Sequence, residues 1–298
     1  MEGRLVLQEK PQLSAPYILA GLKGWLNAGD VSTGCVDYLR LKLGARAFAS
    51  IEPTGFYLYQ IPSSGAEQTL RPPARIKEGI VRKIEMPRND FFFWKSGGAH
   101  DLILFLGAEP NLDWPAFAQA ILAVARQYAS PRVYLLGGIF DQVPHTRKTR
   151  IMATVSHPRL KDDLAPFARF TDYEGPASFN TLLISAAREQ EVEMAGISAR
   201  VPLYIQDLNA KACYDLLKNV LALTGLDVDL NDLWEAGSTL VQMMDTAFSK
   251  NATALEQLKK LEEQYDAAGG NEPLPAGEDY DKLLAEMRKL KREGRKPH

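Results

Sequence analysis

The apolar run Val133–Leu136 ends in two glycines and opens into a polar loop, and this segment most constrains the fold. An α/β protein presents polar side chains in this way, beyond the carboxyl end of a buried parallel strand. The pattern predicts that the strand ends at the glycines and that Asp141, His145 and Arg147 lie in the following loop. The pattern indicates where a functional site would lie, but it does not identify a reaction.

Apolar segments of strand length alternate with helical patterns between residues 15 and 205. The predicted strands are Tyr17–Ala20, Ala47–Ile51, Phe56–Ile61, Ile80–Met86, Phe91–Trp94, Asp101–Gly107, Arg132–Leu136, Ile151–Ser156 and Met194–Val201. Predicted helices follow Asp30 and cover Trp114–Tyr128 and Phe179–Gln190. This alternation predicts an α/β fold, a mainly parallel sheet with helices on both faces. The strands between Ile51 and Trp94 break the alternation and predict an antiparallel extension.

The pattern changes after Asn209 and predicts three parts. Residues 1–208 form the α/β core. Residues 209–267 form a helical C-terminal part, with helices at Lys211–Leu223, Leu230–Lys250 and Thr253–Ala267. Residues 268–298 form a Gly- and Pro-rich linker and a terminal charged helix, Asp279–Glu293. We expect this last part to be detachable from the core and to dock between subunits or onto a partner.

Composition excludes several classes of function. The net charge is −2 with both signs interspersed, which argues against nucleic-acid binding. No apolar run approaches the roughly 20 residues needed to span a membrane, and the start Met1–Arg4 lacks a secretory signal. A cytoplasmic location is therefore expected, with Cys35 and Cys213 as buried free thiols. No spacing of a zinc, phosphate-loop or dinucleotide motif occurs, so no metal and no cofactor is predicted.

Loops after three predicted strands, residues 24–30, 107–113 and 137–147, would meet at one edge of the sheet, where α/β proteins bind ligands. His145 can move a proton near neutral pH, and Arg147 can hold a phosphate or carboxylate. The favoured alternative is a loop held by polar contacts, in which Arg147 binds a carboxylate and His145 a backbone carbonyl.

Other candidates have equally simple structural interpretations. Gly175–Ser178 precedes a helix and could bind an anion, but Glu174 beside it favours a turn capped by Ser178. Asp30, Glu109 and Asp113 could hold Mg²⁺, but separate capping and solvated roles are favoured, Asp30 capping the helix after it.

Gly137 and Gly138 are predicted to be structural loop positions. A side chain there would collide with a neighbouring loop, or the backbone would require a positive φ.

The ordered set of these landmarks resembles the PAC2 family, named for proteasome assembly chaperone 2. The resemblance covers roughly residues 16–240. Its motifs are Gly24–Asp30 (the family's acid and amide exchanged), Asp101–Trp114, Leu136–Gly138, His145–Arg147, Tyr173–Pro176 and Val201–Tyr204.

The resemblance implies a nucleoside-phosphorylase-like core with a helical C-terminal part, often in homo-oligomers. It also implies kinship with eukaryotic and archaeal proteasome assembly chaperones. Some of these dock through a C-terminal hydrophobic-Tyr-any tail, whereas this sequence ends Arg295–His298 and lacks that tail. Docking of the tail is therefore not expected.

Two functional hypotheses follow. The first is a non-enzymatic, homo-oligomeric assembly chaperone or scaffold that meets a protein partner through its C-terminal helices. The second is a small-molecule enzyme or ligand binder, in which Asn27, Asp30, His145 and Arg147 line a phosphate- or carboxylate-binding cleft. A deep pocket that converges on these four residues would favour the second hypothesis, and a filled cleft the first.

Overall fold

The computed structural model describes residues 4–60, 71–170 and 172–267. The strands are β1 Leu5–Leu7, β2 Tyr17–Lys23, β3 Arg46–Ile51, β4 Ala74–Lys77, β5 Ile80–Ile84, β6 Asp90–Trp94, β7 Leu102–Ala108, β8 Val133–Asp141, β9 Ile151–Val155 and β10 Met194–Pro202. The helices are α1 Val31–Lys42, α2 Trp114–Gln127, α3 Leu160–Leu164, α4 Phe179–Glu189, α5 Ala210–Thr224, α6 Asn231–Ser249 and α7 Ala252–Ala267. A short 3₁₀ helix, Ala28–Asp30, precedes α1.

Eight strands form one mixed sheet in the order β1-β3-β6-β7-β2-β8-β10-β9. The central strands β7, β2, β8 and β10 are parallel. On one side, β6 and β3 add antiparallel. The predicted extension is confirmed in part, because Phe91–Trp94 joins the sheet as β6 while Ile80–Ile84 pairs with β4 in a separate sheet. On the other side, β9 pairs antiparallel with β10. The α/β fold class is confirmed, with the parallel part at the centre of the sheet.

Helices cover both faces of the sheet. Consecutive residues of a central strand alternate between two cores, so Leu19 faces the core with α1 and α5, and Ile18 faces the core with α2 and α4. A strand buried on both faces reads as a continuous apolar run, which is why the central strands are visible in the sequence.

The predicted strand at Phe56–Ile61 is wrong over its described residues, 56–60, which form a loop. Phe56 is fully buried because its ring packs edge-to-face on Phe117 of α2, with centroids 4.9 Å apart. The backbone N–H groups of Asn111 and Leu112 both donate to the Phe56 carbonyl. The apolar pattern therefore reflects packing on a helix rather than pairing in the sheet.

The predicted strand end at the two glycines is also wrong. β8 continues through Gly137 and Gly138 to Asp141, paired with β10. A Cβ on Gly138 would lie within 3.0 Å of the Ala28 carbonyl, and one on Gly137 within 3.0 Å of Ser198 Oγ. Close approach of neighbouring atoms, rather than a positive φ, is the reason for glycine here.

The C-terminal helices pack in sequence onto the core. α5 contacts α1 and β10, α6 packs on α5, and α7 packs on α6. The division of the chain at residue 208 stays a prediction. The predicted linker and the helix Asp279–Glu293 lie outside the described residues. Within the described ranges, no helix combines the length and apolar character needed to cross a bilayer.

Candidate functional site

The loops after β2 and β7 leave neighbouring strands toward opposite faces of the sheet, because α1 and α2 lie on opposite faces. Such a switch point opens a crevice at the carboxyl edge of an α/β sheet. Here the crevice is an open cleft of about 500 Å³. Its lining includes Trp25, Leu58, Glu109, Trp114 and Ser178.

The base of this cleft is occupied by the carboxylate of Glu109. One oxygen accepts the Trp25 N–H at 2.6 Å, and the other accepts the Phe179 N–H at 2.9 Å. Phe179 is the first residue of α4, where free amides attract anions. Glu109 therefore takes the position that an external anion would otherwise occupy, and Trp25 beside it is 70% exposed.

The three carboxylates considered for Mg²⁺ have separate roles. Asp113 caps α2 by accepting the Ala116 N–H at 3.4 Å, and it pairs with Arg4. Asp30 accepts a hydrogen bond from the Asn27 amide at 3.1 Å. In the described part of the chain, no group of three or more His, Cys, Asp or Glu side chains is placed to hold a metal ion.

Two side chains were predicted to cap helices, and the structure confirms one of them. Ser178 caps α4 by accepting the Thr181 N–H at 3.2 Å, as expected. Asp30 makes no capping bond to α1, so that prediction is wrong. The side chain of Asn27 accepts from the backbone N–H of Thr33 at 3.0 Å instead. Asn27 therefore satisfies an amide of the first turn of α1, while Asp30 precedes the helix in a left-handed conformation with its side chain exposed.

His145 is buried between the loop after β8 and α6. Its Nδ1 lies 2.8 Å from the Tyr204 hydroxyl, and its Nε2 lies 3.1 Å from Asp245 of α6. The ring stacks on Phe248 at 5.3 Å. Burial lowers the pKa of His145, although Asp245 acts in the opposite direction. Its partners are a hydroxyl and a carboxylate rather than the backbone carbonyl that the loop interpretation named.

Arg147 binds two carboxylates of α7. Its Nε and Nη2 reach Asp266 at 2.9 and 2.8 Å, and its Nη1 reaches Glu262 at 3.3 Å. These hydrogen bonds raise the pKa of Arg147, the one to Asp266 most. Thr146 also donates to Glu262. The contact fits the interpretation in which Arg147 binds a carboxylate of the protein.

The rest of this loop is tied to the same helices. The Tyr265 hydroxyl donates to the Lys148 carbonyl at 3.0 Å, and the Arg150 guanidinium lies 4.0 Å above the Tyr265 ring. Lys211 of α5 donates to the Arg147 carbonyl at 2.8 Å. We call residues 145–150 the clamp loop, because they join the core to α5, α6 and α7.

The sequence does not predict which side chains bind the clamp loop. Asp245, Glu262 and Asp266 lie about a hundred residues beyond the loop. Glu262 and Asp266 are four apart, on one face of α7. This four-residue spacing is a sequence signal for the contact with Arg147. Acidic residues with the same spacing also occur on helix faces that contact only solvent.

The four proposed ligand residues do not line one pocket. A cavity of about 20 Å³ touches His145 and Arg147, room for roughly one water. Asn27 and Asp30 do not line it. They lie instead at the start of α1, where Asn27 bridges to Gly138 of β8.

These features define a class: a mixed α/β protein whose polar loop at the sheet edge is bound to its own C-terminal helices. The model of the PAC2 family matches residues 21–247, and the chain belongs to that family.

Solved structures agree with this assignment. A PAC2 family protein from Streptomyces avermitilis is 27% identical with a TM-score of 0.69, covering 78% of this chain and 95% of its own. A proteasome-assembly chaperone homologue from Mycobacterium tuberculosis is 25% identical, TM-score 0.69, covering 77% and 94%. A protein of unknown function from M. tuberculosis is 24% identical, TM-score 0.80, covering 96% and 97%, and shows the fold alone. No curated protein matches the chain.

Proposed function

We propose that this protein is a non-enzymatic, homo-oligomeric assembly chaperone or scaffold of the cytoplasm that binds a protein partner through its C-terminal helices. Membership of the PAC2 family supports this proposal. So does the similarity to the proteasome-assembly chaperone homologue of M. tuberculosis. The identity of the partner is not part of the proposal.

One observation carries the proposal. The residues best suited to chemistry at the sheet edge, His145 and Arg147, are engaged by Asp245, Glu262 and Asp266 of the C-terminal helices. A phosphate or carboxylate ligand would have to displace these carboxylates. The arrangement serves to position α6 and α7 on the core.

The contact surface that we infer includes exposed apolar side chains of α6. Trp234 is 53% exposed and Met243 is 64% exposed, and their spacing places them on opposite sides of the helix, so each marks a separate part of its surface. Trp is among the side chains most enriched at the centres of protein contacts. The loss of a Trp side chain from such a contact typically weakens binding by roughly 2 kcal/mol or more.

Affinity capture from the native cell with quantitative mass spectrometry tests this surface. Trp234→Glu and Met243→Glu should each lose proteins that the wild type retains. Leu7→Glu is the matched control, because Leu7 is 45% exposed on β1, at the opposite edge of the sheet from β10, on which α5 packs. If all three variants retain the same proteins as the wild type, the proposed surface is wrong.

The ligand-binding alternative is tested on the purified protein. We expect inorganic phosphate and small carboxylates to shift the melting temperatures of the wild type and of Arg147→Ala by the same small amount. A rise that occurs in the wild type and disappears in Arg147→Ala would favour a ligand site at the clamp loop.

A further inference from the structure

The open cleft at the switch point has one charged side chain among its described lining residues, the carboxylate of Glu109. No described Lys, Arg or His side chain lines this cleft. The start of α4 beside it contributes roughly half a positive charge, which is less than the full negative charge of the carboxylate. The cleft is therefore negative on balance, and this charge favours a cation over an anion.

The carboxylate of Glu109 is fixed in place by the backbone around it. Its two oxygens accept N–H groups from the loop after β2 and from the start of α4. A Cβ on Gly24 would collide with Glu109 Oε2, so glycine lets the carboxylate approach this loop. An ionised carboxylate has about four acceptor positions, so each oxygen can accept a further hydrogen bond from a ligand.

Two indoles line the same cleft. Trp25 carries one of the N–H groups that bind Glu109, and it is 70% exposed. The Trp114 ring is held in one orientation, because its Nε1 donates to the Pro110 carbonyl at 2.7 Å and the ring packs edge-to-face on Phe179. Indole faces attract cations within about 6 Å, and a guanidinium can both stack on an aromatic ring and pair with a carboxylate.

We propose that this cleft binds an organic cation, a guanidinium or ammonium group on an apolar stem. Glu109 is the counter-ion, and Trp25 and Trp114 are the aromatic walls. The inference goes beyond the proposed function and does not depend on the partner surface of α6. An arginine or lysine side chain of a protein and a free small cation share this chemistry, and a cleft of about 500 Å³ accommodates either one.

NMR titration of the isotope-labelled full chain with n-butylguanidine tests the site, and n-butylurea is its neutral analogue of similar size. The indole N–H signals of Trp25 and Trp114 should shift. Those of Trp94 and Trp234 should not, because Trp94 pairs with Leu102 at the other end of β7 and Trp234 lies on α6. Butylurea should bind at least about fivefold more weakly, because it forms neither an ion pair nor a cation–π contact.

Two pairs of variants separate the roles of the carboxylate and the indole. Glu109→Gln should lower the affinity for butylguanidine to that for butylurea. Glu189→Gln makes the same charge change at the exposed far end of α4, and it should bind as the wild type does. Trp25→Ala keeps the carboxylate and its backbone N–H partner, and it should weaken binding by about two- to fivefold. Trp234→Ala on α6 is its control and should not weaken binding.

A capped tripeptide, N-acetyl-Gly-Arg-Gly-amide, distinguishes the two sources of the cation. Tighter binding of the tripeptide than of butylguanidine would assign the cleft to an arginine side chain of a protein. Equal or weaker binding of the tripeptide would assign it to a small molecule. Both results support a cation site.

Three results would overturn the inference. The first is equal affinity of the wild type for butylguanidine and butylurea. The second is the absence of a shift in the Trp25 and Trp114 signals at millimolar butylguanidine. The third is a Glu109→Gln variant that melts at the wild-type temperature and still prefers the cation. If Glu109→Gln melts lower, wild-type affinity in Trp25→Ala takes its place as the contrary result.

Discussion

At the scale of single residues, His145 is a buried titratable side chain packed against α6. Burial lowers its pKa in the folded protein, so the neutral form is favoured there. Between the folded and unfolded pKa values, the unfolded chain binds more protons. The contribution of His145 to stability is therefore present above the unfolded value of about 6.5, and it is lost as the pH falls below that value.

We predict that acidification destabilises the wild type more than it destabilises His145→Gln. Urea unfolding at pH 7.5 and 5.5 measures the two differences. The stability advantage of the wild type should shrink at the lower pH. An advantage that grows on acidification would show that Asp245 outweighs burial at this histidine, and a constant advantage would also contradict the prediction.

Gly138 lies where the loop after β2 packs closely on β8. Its N–H donates to the Leu26 carbonyl at 2.8 Å, and a Cβ would collide with the Ala28 carbonyl. Gly138→Val should lower the free energy of unfolding by about 1–3 kcal/mol.

Gly98→Val is the control for this substitution, because its Cβ would approach only Ser96 Oγ, at 3.4 Å. Thermal unfolding of the two variants gives the comparison. Equal melting temperatures for Gly138→Val and the wild type would refute the packing role.

At the scale of elements, the clamp loop determines how firmly α7 is held. Arg147 and Thr146 both reach Glu262, and Arg147 also reaches Asp266. We predict that Arg147→Ala raises hydrogen-exchange rates of the α7 amides severalfold and leaves those of α1 unchanged. Arg159→Ala, which removes an exposed arginine paired with Glu193, should leave α7 at its wild-type rates.

The clamp prediction has a clear contrary result. If exchange in α7 is unchanged in Arg147→Ala, contacts such as the buried Leu258 and Leu261 hold the helix alone. If exchange rises throughout the chain, the arginine supports the whole fold rather than one helix.

The elements differ in how far the sequence predicts them. The sequence predicts several elements closely, because apolar residues recur within each of them at strand or helix spacing. These elements are β2, β7, β10, α2, α4, α5, α6 and α7. β4 was missed, since all four of its residues are exposed and Ala74–Lys77 contains no continuous apolar run. The loop at Phe56 resembled a strand because burial against α2 leaves the same apolar signature.

The site was less predictable than the fold. The edge loops and the candidates His145 and Arg147 follow from local pattern. Their partners depend on how α6 and α7 return to the sheet, and no local signal encodes that path. Cys35 and Cys213 show the same limit: 178 positions apart, they meet where the Cys35 thiol lies 3.7 Å from the Cys213 carbonyl. Burial raises the pKa of Cys35.

At the scale of the whole molecule, the segment after Ala267 follows α7 and lies outside the described residues. We predict that a chain truncated after Ala267 stays folded but differs in oligomer mass or partner binding. Circular dichroism and sedimentation of the truncated and full chains make the comparison. Unfolding or aggregation of the truncated chain would place that segment in the core.

Cross-linking mass spectrometry of the protein in its native cell tests the central claim most directly, because it reports which surface meets another protein. Lys250 and Lys259 are exposed at the C-terminal helices, and Lys23 and Lys161 are exposed on the core. The account predicts that cross-links to a partner protein concentrate on Lys250 and Lys259. Partner cross-links confined to Lys23 and Lys161, or a protein that cross-links to no partner, would contradict it.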